Sequence, residues 1–127
     1  MSALGPLRSA IPVLRVGDYP RARAFWRDTL GFAVTEEGGD PPRFGIFRRD
    51  QAEVFLDAWH GAGPRREAGW RAYFHLDDCD AAAEALRAAG VAIKRGPETM
   101  PYGLREIDVE DPDGNCLCFG QILDDAS

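Results

Sequence analysis
Apolar side chains crowd the stretch from Ile11 to Val16, which predicts a strand with Pro12 near its start. Asp18 comes next as a candidate N-cap. Ala22, Phe25, Trp26 and Leu30 then recur at helical spacing and predict an amphipathic helix from about Pro20 to Thr29, stopped by Gly31. The same succession returns later in the chain. Arg71 to Leu76 predict a strand, Asp77 a cap, Ala81 to Ala89 a helix, and Gly90 its stop. Setting Gly31 on Gly90 also sets Asp18 on Asp77, so the pattern recurs at an offset of 59 residues.

The segments after the two helices match as well. Strands are predicted at Ala33–Glu36, Phe44–Arg48 and Glu53–Trp59 after the first helix. They are predicted at Ala92–Lys94, Arg105–Val109 and Cys116–Gln121 after the second. Two β-α-β-β-β units are the simplest reading, joined by the polar, Gly/Pro-rich stretch from His60 to Gly69. The expected fold class is therefore α+β, with two half-barrel sheets and the helices outside. A single domain over residues 1–127 is expected, built of repeats at about 9–61 and 69–123. One face of each sheet is covered by its helix. The other, curved by sheet twist, must meet something else.

Composition narrows the partner classes. The chain has 127 residues and is 45% apolar, ample for a core. Its net charge of −6 argues against a nucleic-acid backbone as partner and is compatible with a cationic ligand. No apolar run is long enough to span a bilayer, and no signal peptide is read, so no membrane partner is expected. There are three cysteines, an odd count. Cys116 and Cys118 share one strand face at a spacing unsuited to bridging each other. Reduced thiols and a cytoplasmic location are the expectation.

The chain closes on Asp111-Pro112-Asp113-Gly114-Asn115, a turn that throws it into its last strand. That turn, the two βαβββ units, the run from Ile11 to Asp18, Phe25-Trp26 and Leu30-Gly31-Phe32 together resemble the glyoxalase/bleomycin-resistance/extradiol-dioxygenase superfamily (the vicinal oxygen chelate fold). The resemblance covers nearly the whole chain. The superfamily hosts isomerases, thiol transferases, dioxygenases and non-catalytic drug binders, so it implies a fold before it implies a function.

The resemblance also implies where metal ligands would stand. The family's metal enzymes carry His, Glu or Gln at four positions, which fall here on Ile11, Phe55, Arg71 and Cys118. Ile11 and Phe55 donate nothing, Arg71 is a fixed cation without an acceptor, and Cys118 is a single thiol. A hard divalent cation wants oxygen and imidazole donors. A register slip of one residue brings only Glu53, Asp57 and His75 near. No metal and no cofactor are therefore expected.

The ligand positions of this fold face its cavity, so strand alternation names the rest of the lining. From Phe55 it gives Glu53, Asp57 and Trp59, and from Arg71 it gives Tyr73 and His75. On the strand Arg105–Val109, Ile107 and Val109 should face the helices, leaving Glu106 and Asp108 to the cavity. An aromatic and acidic lining suits a planar, positively charged organic molecule, with stacking and cation–π contacts of about 0.5–2 kcal/mol each.

Within the superfamily the chain most resembles the bleomycin-resistance proteins, through Ser9-Ala10-Ile11-Pro12-Val13-Leu14, the turn leading to Cys116, and Tyr102-Gly103-Leu104-Arg105-Glu106. In those proteins an aromatic residue and a Phe clasp the drug. The equivalent positions are Tyr102 (Tyr where Trp is usual) and Phe44. The resemblance also implies a homodimer with drug clefts at its interface and a segment around Pro12 exchanged between subunits. The function expected is non-catalytic sequestration of a cationic aromatic, bleomycin-class antibiotic. The predicted ligand-binding residues are Phe44, Phe55, Asp57, Trp59, Tyr73, Tyr102, Glu106 and Asp108. The alternative is a glyoxalase-like isomerase, thiol transferase or dioxygenase with an atypical or absent metal site, or a metal-free enzyme using Cys118 or His75. Plainer roles are expected elsewhere: Phe25, Trp26, Leu30 and Leu86 as core, Cys118 as a buried small residue, and Arg48-Arg49, Arg65-Arg66 and Asp124-Asp125 as solvated surface.

Overall fold
The computed structural model describes residues 3–63 and 69–124. The Arg65-Arg66 pair and Asp125 lie outside them. The first unit runs β1 (Val13–Arg15), α1 (Tyr19–Ala24) continued by a π turn (Phe25–Thr29), β2 (Ala33–Gly38), β3 (Phe44–Arg49) and β4 (Ala52–Asp57). The second runs β5 (Ala72–His75), α2 (Cys79–Ala88), β6 (Ile93–Thr99), β7 (Leu104–Glu110) and β8 (Cys116–Ile122). Each unit forms a four-stranded mixed sheet of the same order, β1-β4-β3-β2 and β5-β8-β7-β6. In each, the first strand runs parallel to the last and the other neighbours are antiparallel. The α+β class and the βαβββ succession are as the periodicity predicts.

The first helix cap is as the sequence predicts, and the second differs from the expectation by one residue. Asp18 caps α1, its Oδ1 accepting from the Arg21 N–H at 3.1 Å. In the second unit the cap is Asp78 rather than Asp77: its Oδ1 accepts from the Ala81 N–H at 3.0 Å. The π turn supplies the reason. The Leu30 N–H bonds to the Phe25 carbonyl five residues back, at 3.0 Å, and so takes in one residue more than an α turn. From cap to stop, the first helical segment is one residue longer than the second, so aligning the glycines misaligns the caps.

Both sheets bury their helix-side face. Leu14, Phe47, Val54 and Leu56 of the first sheet pack with Tyr19, Ala22, Trp26 and Leu30, and this core continues into Ala72, Val109 and Leu117 of the second. The Trp26 ring meets Phe32 at 5.1 Å and Phe74 at 6.3 Å, so the first helical segment covers part of both sheets. Under α2, Cys79, Ala83 and Ile107 form a smaller cluster. Polar bonds tie the closing turn to the first unit. Asp113 Oδ1 accepts from the Gly17 N–H at 2.7 Å and pairs with Arg21 at 3.2 Å, and the Asn115 amide donates to the Arg15 carbonyl at 3.0 Å. Among the described residues, no helix is long and apolar enough to cross a membrane.

Candidate functional site
The sheet faces turned away from the helices carry the polar and aromatic side chains. In the second unit the register sets Tyr73 opposite Cys118 and Cys118 opposite Asp108, with Glu106 opposite Gly120. Gly120 matters here because a Cβ at that position would collide with the Tyr73 hydroxyl, which therefore lies flat over β8. The result is a network centred on Glu106, which is fully buried. Its Oε2 accepts from Tyr73 Oη at 2.8 Å, and its Oε1 from Tyr102 Oη at 2.8 Å and from Arg95 Nη2 at 2.7 Å. Arg95 also donates through Nε to Asp108 Oδ2 at 2.8 Å, and Trp70 Nε1 donates to Asp108 Oδ1 at 3.1 Å. Burial alone would raise the Glu106 carboxyl. The bonds from Arg95, Tyr102 and Tyr73 outweigh it and hold the group below the ordinary carboxylate value. Burial, then the Glu106 hydrogen bond, pushes the Tyr73 phenol up.

Sequence reasoning missed Arg95. It ended the strand at Lys94, before Gly96-Pro97, whereas β6 runs on to Thr99. Simple alternation would also put Arg95 on the helix side with Ile93. A bulge intervenes: Ile93 pairs with Val109 but Arg95 with Asp108, so two steps along β6 match one along β7. The same shift occurs in β2 between Val34 and Glu36, at the repeat offset. Glu106 and Asp108 thus face the predicted side, but not as free carboxylates, because Arg95 lies between them. Arg105 does not pair with Glu106; it reaches across the other face to Asp80 at 3.0 Å.

The first unit's open face is aromatic. Phe44 stacks on Trp59 at 5.5 Å with the rings 9° from parallel, and packs edge-on against Phe55 at 5.4 Å. Asp57 closes this face at the end of β4. Its Oδ1 accepts from the Trp59 N–H at 2.8 Å, and its Oδ2 meets His60 Nδ1 at 2.6 Å. Burial works against ionisation of Asp57, but the bonds from His60 and the Trp59 N–H prevail and lower its value. Glu53 pairs with Arg48 at 3.2 Å. Trp59 and Tyr102 remain 52% and 56% exposed, so each presents a ring to whatever occupies the open side.

The eight residues read from the sequence therefore divide into Phe44, Phe55, Asp57 and Trp59 on one sheet and Tyr73, Tyr102, Glu106 and Asp108 on the other. None of them lines the groove of about 710 Å3 on the helix side, floored by Phe32, Phe74, Phe119 and Leu86. That groove is bordered by groups with structural work: Arg49 donates to the Leu30 carbonyl at 2.6 Å and Asp78 caps α2.

The four positions where the family's metal enzymes carry ligands do not fit a metal. Phe55 is an aromatic packing partner of Phe44, and Cys118 is buried, its thiol pushed up by burial and by the hydrogen bond with Asp108. Among the described residues, no group of three or more His, Cys, Asp and Glu side chains is placed to hold an ion. The three cysteines are free thiols.

Similarity to known proteins agrees with the topology. Over 117 residues the chain is 29% identical to lactoylglutathione lyase of Haemophilus influenzae, covering 84% of this chain and 87% of that one. Among solved structures it is similar to TnmS3, an antibiotic binding protein from Streptomyces sp. CB03234, at 28% identity and a TM-score of 0.72, covering 91% and 97% of the two chains. A lactoylglutathione lyase from Agrobacterium tumefaciens shares the fold, with a TM-score of 0.73 over 92% and 95% of the chains, at 20% identity. Residues 8–119 match the family model of the Glyoxalase/Bleomycin resistance protein/Dioxygenase superfamily, and the chain belongs to that superfamily.

Proposed function
We propose that this protein binds a planar aromatic small molecule of antibiotic type without transforming it, in a cleft completed by a second copy of the chain. The observation that carries the reading is the pair of outward rings, Trp59 backed by Phe44 and Tyr102 tethered to Glu106. Each ring already has a partner within the chain before any ligand arrives, which lowers the ordering cost of stacking. The similarity to TnmS3, at 28% identity, supports the class. Val13, Trp59, Trp70, Tyr102 and Ile122 are exposed large apolar residues whose strands or loops border the open side, and such a patch favours a covering partner. Charge enters more weakly than the sequence suggested. Arg95 occupies Glu106 and Asp108, and His60 engages Asp57, so a ligand's positive charge meets carboxylates that are already partnered.

Calorimetric titration with bleomycin-class glycopeptides and a panel of neutral and cationic planar aromatics tests the reading. Binding is expected to weaken about tenfold in Trp59→Ala, the loss of roughly one stacking contact. No heat with any member of the panel would sink it. Light scattering coupled to gel filtration should report twice the chain mass. A second reading, a glyoxalase-like enzyme, is favoured by the 29% identity to a lactoylglutathione lyase. Lactoylglutathione formation by the purified protein, with a stoichiometric divalent ion, would establish that reading instead.

A further inference from the structure
His60 is one of only two histidines in the chain, and its setting is built rather than incidental. Asp57 is buried at the end of β4 and meets His60 Nδ1 through Oδ2 at 2.6 Å. Its second oxygen is engaged by the Trp59 N–H at 2.8 Å, so the carboxylate cannot rotate away. From β1, the Arg15 guanidinium donates through Nε to the Gly61 carbonyl at 3.1 Å and through Nη2 to the His60 carbonyl, which fixes the main chain just after the imidazole's attachment. The imidazole is thus held by its own ring nitrogen and by its backbone, yet its side chain is 71% exposed. No group among the described residues engages Nε2.

An ionised carboxylate at Nδ1 can only accept, so in the neutral imidazole Nδ1 carries the proton and Nε2 is left as an outward acceptor. This acceptor is attached one residue from Trp59, the ring proposed to stack the ligand. We propose that the Asp57–His60 pair is a recognition subsite, in which Nε2 of His60 accepts a hydrogen bond from an O–H or N–H conjugated to the aromatic system of the bound molecule. The ligand class is thereby narrowed to planar aromatics bearing an acidic in-plane donor: a phenol, an anilide or a ring N–H. Asp57 is the positioning residue, and Asp57 and Arg15 are the charged groups that face His60 from β4 and β1. This inference rests on the binding reading given above.

Two measurements test it. Long-range proton–nitrogen NMR of the imidazoles, with only His60 and His75 to assign, should show His60 as the Nδ1–H tautomer and should show the alternative tautomer growing in Asp57→Ala. A His60 that is Nε2–H in the native protein overturns the subsite, whatever binds. The second measurement uses a matched pair of probes, 2-naphthol and its methyl ether 2-methoxynaphthalene, followed by tryptophan fluorescence. The phenol is expected to bind about three- to tenfold more tightly than the ether, the worth of one net hydrogen bond. That preference should vanish in His60→Ala. Equal affinity for the two probes, or a preference that survives in His60→Ala, refutes the subsite while leaving the aromatic site standing. Failure of both probes to bind removes the aromatic site and the subsite together.

Discussion

Replacing Arg95 by Met removes the cation that pairs with both Glu106 and Asp108. Glu106 is fully buried, and the Arg95 side chain is 28% exposed. Breaking a buried pair by deleting one partner costs about 3–5 kcal/mol, because the remaining charge is left uncompensated. Tyr73 and Tyr102 would still donate to Glu106, and Asp108 keeps the Trp70 indole, so the lower end applies: a loss of about 3 kcal/mol at pH 7. For a chain of this length that is roughly 10 °C in Tm. The pH dependence is the sharper signature. In the native protein Glu106 sits below its ordinary value, so its contribution is present above the unfolded pKa of about 4.3 and is lost as pH falls through the folded value. Without Arg95, burial dominates and the carboxyl moves up. The variant then regains stability as the acid takes a proton. Urea unfolding at several pH values between 4.5 and 7 should therefore show the gap between the two proteins narrowing as pH falls. Glu106→Gln added to the Arg95→Met variant should recover part of the loss at pH 7. A gap below about 1 kcal/mol, or one that is the same at every pH, would refute the assigned network.

Gly120→Ala places a methyl group against the Tyr73 hydroxyl, which its bond to Glu106 prevents from yielding; a loss of about 1–3 kcal/mol is expected in thermal melts. Asp78→Ala should cost about 1 kcal/mol by removing the α2 cap, whereas Asp77→Ala should change the melting temperature little, and the reverse order would return the cap to Asp77. Burial pushes all three thiols up, so alkylation of the native protein at pH 8 should be slow, with the partly exposed Cys116 reacting before Cys79 and Cys118 in peptide mass spectra.

The repeat was legible in the chain because it is written in local terms: capping residues, helical spacing and stop glycines at matching places. Strand alternation, counted from the cavity-facing positions that the resemblance implies at Phe55 and Arg71, likewise put Asp57 and Tyr73 on the open faces, and the apolar alternation of β7 put Glu106 and Asp108 there, since a period of two survives wherever pairing is regular. Alternation fails at a bulge, and both units carry one at the equivalent place. Arg95 was lost there, and with it the reason Glu106 can be buried. The cap at Asp78 was lost to the π turn, whose extra residue has no composition of its own. His60 falls to the linker in the sequence because it opens the polar, Gly/Pro-rich stretch that ends at Gly69. Only the fold shows that an i,i+3 pair spans the strand's end.

The bulges in β2 and β6 have a consequence for how the protein behaves at high concentration. β2 and β6 are the outermost strands of their sheets, and each therefore carries a line of backbone groups that another molecule could extend. A bulged strand is a poor template for added strands, and these two also bear Glu36 and Glu37 on one and Lys94, Pro97 and Glu98 on the other. The opposite edges are short, three residues in β1 and four in β5. The irregularity that turns Arg95 toward Glu106 thus also guards its own four-stranded sheet, as its counterpart in β2 guards the other, against growing edge to edge into aggregates.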